Sequence, residues 1–382
     1  MASVEKRDDG RPKPWLVRWR DEGGRQRKKS FARKVDADRF RAEVEHTLNT
    51  GSYIDPAAGK ITFRQYAERW REGQPHRANT AARKKSLLTK HVYPVLGDRR
   101  MASIRTSMVQ SFVTALPLAP SSARTVYRTV RAVFRAAAAD RVIPFDPCVK
   151  IKLPELPHEE VVPLTIAQVD ALAEAVPCRY RALVEFDAGT GLRQGEVFGV
   201  EVSMIDRARK VVKVYQQVQP AAGGGTVVCP LKAKASYRSV PLGDAMLAVL
   251  DAHMKEFPPV EVDVLDITGA KPVTRKASFV FADEAGRALN RNAFNETVWR
   301  RARAAAGLHA ATQHDLRHFF ASALIREGLS PKAVAALLGH ADVAMTLNTY
   351  SHLWPGDDDR SRLAIDKAFR RDVPHMRPTP DN

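Results

Sequence analysis

Cysteine is scarce in this sequence: Cys148, Cys178 and Cys229 are the only three in 382 residues, and they lie far apart. Such spacing offers neither a disulfide framework nor a cysteine metal site, so a reducing compartment, the cytoplasm, is expected. Long apolar runs are missing too. No uncharged stretch approaches the roughly 20 residues that a membrane-spanning helix needs, and a soluble chain is expected. The opening "MASVEKRDDGRPK" lacks the apolar segment of a secretory signal. No internal repeat is present, and low complexity is confined to Gly223-Gly224-Gly225, which reads as a turn between strands.

Acidic residues are short in one part of the chain only. Residues 61–150 carry 17 Lys/Arg against 5 Asp/Glu, residues 1–60 carry 15 against 10, and residues 151–382 carry 29 against 28. Nearly all of the net charge of +18 therefore lies in the front of the chain. A basic front joined to a near-neutral back suggests a polyanion-binding module followed by one with a different task. A membrane-surface helix with Trp/Phe/Lys anchors is not evident. The chain exceeds the ~250–300 residues at which a single core stops growing, so two or three domains are expected.

Periodicity divides it further. "PWLVRWRDEGGRQRKKSF" (residues 14–31) reads as a β-hairpin with one cationic face, and "KVDADRFRAEVEHTL" as a helix. Four helices are expected between Thr62 and Asp140, with many outward arginines. Pro144, Pro147, Pro154, Pro157 and Pro163 then break any continuous helix and mark a connector. Beyond it, Thr165 is placed to cap "IAQVDALAEAV", "KVVKVYQQV" and "GTVVCPLK" are strand-like, and helices run to the end. The expectation is a multidomain α+β protein: a small β-sheet plus helix (1–55), an all-α domain (61–150), and a mainly α domain with a small antiparallel sheet (159–382).

The chemistry concentrates in the last of these. In "TGLRQGEV", glycines 189, 191 and 195 lack the Lys-Ser/Thr of a P-loop, so a nucleotide site is not indicated. Arg193, at an apparent helix N-terminus, could hold a phosphate together with backbone N–H groups, or could merely pair with Glu196. In "HDLRH", His314 and His318 at i, i+4 have the spacing of paired zinc ligands, but Asp315 replaces the general-base glutamate of that motif. Alternatively, His314 and Arg317 at i, i+3 address one anion. "LLGHADVAMTLNTYSH" adds His340 and Tyr350, each of which would read as structural if met alone.

Taken jointly and in this order, the set resembles the tyrosine recombinase family, the phage-type integrases. That family carries an arginine in a "TGLR-x-x-E" turn, a "H-x-x-R" pair, an "LGH" and a tyrosine about ten residues later. Here these are Arg193 with Glu196, His314 with Arg317, His340 and Tyr350. "PLKAKASYRSVPL" is similar to the family's catalytic-lysine hairpin, which implies Lys232, with Lys234 as competitor. The helical residues 61–150 resemble the family's core-type DNA-binding domain, and residues 1–55 its arm-type DNA-binding domain.

The resemblance implies a site-specific recombinase that integrates or excises a phage or mobile element through a 3′-phosphotyrosyl intermediate. Tyr350 would attack the phosphodiester. Arg193 and Arg317 would clamp its non-bridging oxygens, and Lys232 would protonate the departing 5′-oxygen. His314 would assist proton transfer at Tyr350, His340 would hydrogen-bond the phosphate, and Glu196 would orient the site. A phenol, with a pKa of about 10, leaves more readily than a sugar alcohol, so the covalent bond is easily reversed. No metal and no cofactor is implied. The partners implied are double-stranded DNA at core and arm sites, a homotetramer on two duplexes, and an accessory bending or excision factor, in the nucleoid of a bacterial host. Arg18, Arg20, Arg27, Lys28, Lys84 and Lys85 are expected on phosphates. Two alternatives stand beside this: a binding protein of the same fold without strand transfer, and a zinc hydrolase using His314 and His318.

Overall fold

The computed structural model describes residues 2–369, apart from 9, 22, 52, 54, 56, 57, 76, 77, 158, 159, 222 and 355–357. The chain divides into two units, Met1–His158 and Glu159–Asn382.

The first unit opens with β1 (Ser3–Lys6), β2 (Trp15–Arg20), β3 (Gln26–Phe31) and α1 (Lys34–Asn49), the strands forming an antiparallel sheet with β2 in the centre. β1 is not evident from sequence: a four-residue polar edge strand, "SVEK", has no alternation to betray it. One sheet face packs on α1 through Val17, Trp19 and Phe40, with Trp19 edge-on to Phe40 at 5.3 Å. Register decides which cations are available. Arg18 lies opposite Lys28 and Arg20 opposite Gln26, whereas Arg27 lies opposite Trp19 on the helix side. Arg27 is accordingly ion-paired with Asp21 at 2.9 Å and with Asp55, on the face opposite Arg18, Arg20 and Lys28. Those three are exposed, and Arg18 also pairs with Glu5 at 2.8 Å.

The four expected helices follow as α2 (Phe63–Glu72), α3 (Ala78–Leu87), α4 (Thr106–Thr114) and α5 (Pro120–Ala139) around a core that includes Phe63, Leu88, Leu96, Val130 and Phe134. α3 continues as a π-helix over Leu88–Gly97, because Pro94 within it has no N–H to give. Lys84 lies over the Trp70 ring at 4.8 Å, and Lys85 is exposed.

In the second unit Thr165 caps α6 (Ile166–Ala175): its Oγ1 accepts from the Gln168 amide at 3.2 Å, and Gln168 Oε1 accepts from the Thr165 amide at 2.9 Å. Then come α7 (Arg181–Thr190), α8 (Gln194–Val197), β4 (Ile205–Asp206), β5 (Val211–Val214), β6 (Gln216–Pro220), β7 (Thr226–Pro230), β8 (Arg238–Pro241), α9 (Asp244–Glu256), β9 (Glu261–Asp266) and β10 (Val273–Ser278). The strands make two small sheets rather than one, β4-β5-β8 and β10-β9-β7-β6, and β7 pairs with β9 in parallel. The second unit ends with α10 (Arg291–Phe294), α11 (Arg300–Ala305), α12 (His314–Arg326), α13 (Pro331–Leu338), α14 (Val343–Tyr350) and α15 (Asp358–Phe369). Its core gathers Phe186, Phe198, Phe281, Leu316, Leu338 and Tyr350. Each such side chain contributes about 1.5–3 kcal/mol by leaving water. Leu363, Ile365 and Phe369 of α15 are exposed. No helix among the described residues is long and apolar enough to cross a membrane.

Candidate active site

The site is organised around two helix ends. α7 stops at Gly191, whose left-handed φ of 60° favours glycine, and a Cβ there would meet Phe320 Cδ1 at 2.3 Å. The turn delivers Arg193 to the N-terminus of α8. There its backbone N–H donates to Glu196 Oε2 at 3.0 Å and its Nη1 to Glu196 Oε1 at 2.9 Å. α13 stops at Gly339, with φ of 67°. The last carbonyls of any helix lack partners within it, and here guanidiniums supply them. Arg238 Nε donates to Leu337 O at 2.6 Å, Arg317 Nη2 to Leu338 O at 2.7 Å, and Arg193 Nη2 to Gly339 O at 3.3 Å. The negative end of the α13 dipole favours that arrangement. A Cβ on Gly339 would lie 3.0 Å from Arg238 Nη1.

Three cations thus converge, and Glu196 is the carboxylate bound to two of them, Arg193 and Arg238. Glu196, 2% exposed, also accepts from Arg238 Nη2 at 2.9 Å. Burial alone would raise its pKa, but the charge and hydrogen bond of Arg238, then those of Arg193, hold it below the usual carboxylate range. Arg317 is equally buried and, among the described residues, binds only backbone oxygens, Gly191 O and Leu338 O, each at 2.7 Å. Burial, then the charges of Arg193 and Arg238, push its pKa down. The cluster carries excess positive charge that a phosphate would neutralise.

Tyr350 is 2% exposed, and burial lifts its pKa to about 12 against the pull of Arg317. Its Oη lies 2.7 Å from Nδ1 of His318, not of His314. His314 is exposed and makes no hydrogen bond to a described residue; its ring meets that of His318 edge-on at 4.8 Å. Partial desolvation, then the charges of His318 and Arg317, hold the His314 pKa below the imidazole range. His340 Nδ1 lies 2.8 Å from Thr346 Oγ1, and burial followed by Arg317 and Arg193 pushes its pKa to about 4.

The fold brings Arg193, Glu196, Arg317, His340 and Tyr350 together. Lys232 is not among them. It lies exposed in the bend after β7, and Lys234 in the short turn beyond it; neither side chain makes a hydrogen bond or ion pair with a described residue. The segment is also no hairpin: β7 pairs with β6 and β9, while β8 pairs with β5 in the other sheet. Sequence reasoning missed Arg238, Thr346 and the role of His318. No sequence signal marks Arg238, because the burial of Glu196 that calls for a second guanidinium is visible only in the fold. The zinc alternative loses its footing, because His318 Nδ1 is engaged by Tyr350 and no three His, Cys, Asp or Glu among the described residues converge on a metal site.

Known proteins resemble this chain in sequence and in fold. The phage integrase family matches residues 156–355, and the phage integrase central domain matches residues 63–153. The integrase of Mycobacterium phage FRAT1 is 24% identical over 322 residues, covering 82% of this chain and 92% of that protein. The Tn1549 transposon integrase, solved in complex with transposon right end DNA, superposes with a TM-score of 0.68 at 21% identity over 81% of this chain and 99% of that one. A lambda integrase dimer bound to a COC′ core site gives 0.56 at 19% identity, over 94% and 95%. The fold and site define an enzyme that breaks and rejoins DNA through a tyrosine. The chain belongs to the phage integrase family of tyrosine recombinases and is a site-specific DNA recombinase.

Proposed function

We propose that Tyr350 is the nucleophile of this recombinase. Its Oη attacks a DNA phosphodiester, leaving a 3′-phosphotyrosyl bond and a free 5′-hydroxyl; attack by a second 5′-hydroxyl reverses the step in a new pairing. The energy of the broken bond is held in the covalent link. Arg193 and Arg317 take the non-bridging oxygens of the five-coordinate phosphorus, where fixed donors stabilise developing charge most effectively. His340, neutral and oriented by Thr346, and His314, open to solvent, add hydrogen bonds to the same oxygens. Lys232 swings in on its exposed bend to protonate the 5′-oxygen. Glu196 and Arg238 position the clamp without touching substrate. The observation that carries the reading is the convergence of Arg193, Arg238 and Arg317 on the end of α13 beside a buried tyrosine.

Residues 1–55 serve as the arm-type DNA-binding domain, 61–150 as the core-type one and 159–382 as the catalytic domain. Double-stranded DNA is the substrate, four protomers act on two duplexes, and an accessory bending or excision factor sets direction, in the bacterial nucleoid. Arg18, Arg20, Lys28, Lys84 and Lys85 contact phosphates and set salt dependence rather than base choice. Wild type and Tyr350→Phe, incubated with bacterial genomic DNA in EDTA and denatured in SDS, test the proposal. Protein-linked fragments sharing one end sequence are expected from wild type alone. Equal recovery from both proteins would overturn it.

A further inference from the structure

The histidine that touches the nucleophile is not the one that the family motif singles out. His314 and His318 sit one turn apart at the start of α12, so both face the site, but only the second reaches Tyr350. The two rings of His318 and Tyr350 meet edge-on at 5.5 Å between centroids, and the Nδ1···Oη distance is 2.7 Å. Tyr350 makes no other side-chain hydrogen bond among the described residues. A buried phenol has to place its proton somewhere, and Nδ1 of His318 is where it points.

The surroundings set the direction of that hydrogen bond. Burial holds the His318 pKa below the usual imidazole range, with Asp315 opposing and Arg317 assisting the shift. A neutral imidazole with its hydrogen on Nε2 presents a lone pair at Nδ1. Tyr350, with its pKa raised to about 12, keeps its proton and donates it. The charged and titratable groups nearby are few. His314, Asp315 and Arg317 share the helix; α7 brings Asp187, which is bonded to Gln313. α13 carries only Lys332, which is exposed, and the turn after α14 brings His352, whose Nε2 contacts Val161 O at 2.9 Å. None of these carboxylates is hydrogen-bonded to His318, so its lone pair is free to act on the phenol.

We infer that His318 is the general base for Tyr350, an inference that rests on the recombinase reading above and reassigns the proton transfer from His314. As Oη bonds to phosphorus, its proton passes to His318 Nδ1, the P–O5′ bond breaks, and the departing 5′-oxygen takes a proton from the general acid. In rejoining, the incoming 5′-hydroxyl gives up its proton to that acid's conjugate base, and His318 returns its own proton to Oη as the phosphotyrosyl bond opens. Atoms and charge balance in both directions. His314 is left with the phosphate, beside the arginines whose charges it feels.

The test uses the full-length protein on a nicked suicide duplex carrying the site recovered by genomic capture, read as covalent complex per unit time from pH 5 to 9. General-base catalysis is typically worth about 10²–10⁴-fold, and His318→Ala should lose on the order of 10²-fold or more while binding the duplex as wild type does. Its residual rate should climb steadily with pH, as an unassisted phenol requires, whereas the wild-type rate levels off above the imidazole range. His318→Gln keeps an acceptor near Oη but cannot take a proton, so it should fail in the same way; rescue by glutamine would make His318 a positioning residue and overturn the base role. A duplex with sulfur replacing the bridging 5′-oxygen needs no general acid. The His318→Ala defect should persist on it, whereas a Lys232→Ala defect should be relieved. Cleavage by His318→Ala within threefold of wild type, or relief by the sulfur substrate, would overturn the inference alone. Absence of any Tyr350-dependent adduct from wild type would bring down the recombinase reading and this inference with it.

Discussion

Replacing Asp187 with asparagine should stabilise the catalytic unit, and by an amount that grows with pH. Asp187 is 1% exposed on α7; its Oδ2 accepts from Gln313 Nε2 at 2.7 Å, while its Oδ1 and Gln313 Oε1 have no hydrogen-bond partner among the described residues. A proton on the carboxyl turns one of two orphaned acceptors into a donor. Burial favours that state, outweighing the hydrogen bond from Gln313 and the charge of Arg317, and lifts the pKa to about 8. The folded pKa lies above the unfolded one, so between those values the native state binds a proton that the unfolded chain has released. Wild-type stability therefore falls as pH rises, by about 1.4 kcal/mol per unit while pH stays between the two. Asparagine keeps the shape and supplies the donor without a proton. From pH 5 to pH 7 the advantage of Asp187→Asn over wild type should grow by roughly 2.7 kcal/mol, the other titrating groups cancelling in the difference. Urea unfolding of both full-length proteins at pH 5, 6 and 7, followed by tryptophan fluorescence, reads this directly. An advantage that does not change with pH would mean that the carboxyl is ionised in the fold and that Arg317 governs it.

Glu196→Ala should cost about 3–5 kcal/mol in the same assay, because it strands the buried Arg238 and frees Arg193 from its orientation; a loss under 1 kcal/mol would contradict the pairing. Gly339→Ala forces a left-handed φ on a residue with a Cβ and crowds Arg238, so strand cleavage should drop at least tenfold while DNA binding is retained. Unchanged cleavage would show that the carbonyls of α13 do not set the clamp. Removing Arg18, Arg20 and Lys28 together should flatten the dependence of log affinity on log salt by about 0.9 for each phosphate that they neutralise, in titrations of long duplex DNA. Arg27→Ala, its charge already spent on Asp21 and Asp55, should leave that slope unchanged.

Chemically unusual residues at fixed spacing are legible in the sequence. Arg193, Arg317, His340 and Tyr350 sit in short motifs whose left-handed glycines, Gly191 and Gly339, also mark the helix ends that bring them together. The helices of the first unit are legible as well, down to their arginine-rich outer faces. Partners that act through long-range packing are not. Arg238 looks like a surface residue of a strand until Glu196 is seen buried against it, 42 positions earlier in the chain. His318 reads as a zinc ligand because spacing reports a shared helix face but not what that face meets. Lys232 is implied by likeness to the family's lysine hairpin, and here it lies in the bend between β7 and β8, strands that pair in different sheets. β1 and β10 escape a sequence reading because their polar residues carry little alternation, whereas β9, "EVDVLD", does alternate but is only six residues long and rich in acidic residues.

The central claim is that Tyr350 carries the DNA. The most direct measurement is mass spectrometry of the trapped covalent complex after nuclease and protease digestion. The account predicts one modified peptide, with nucleotide linked through its 3′-phosphate to Tyr350. Nucleotide on any other residue, or linkage through a 5′-phosphate, would contradict it.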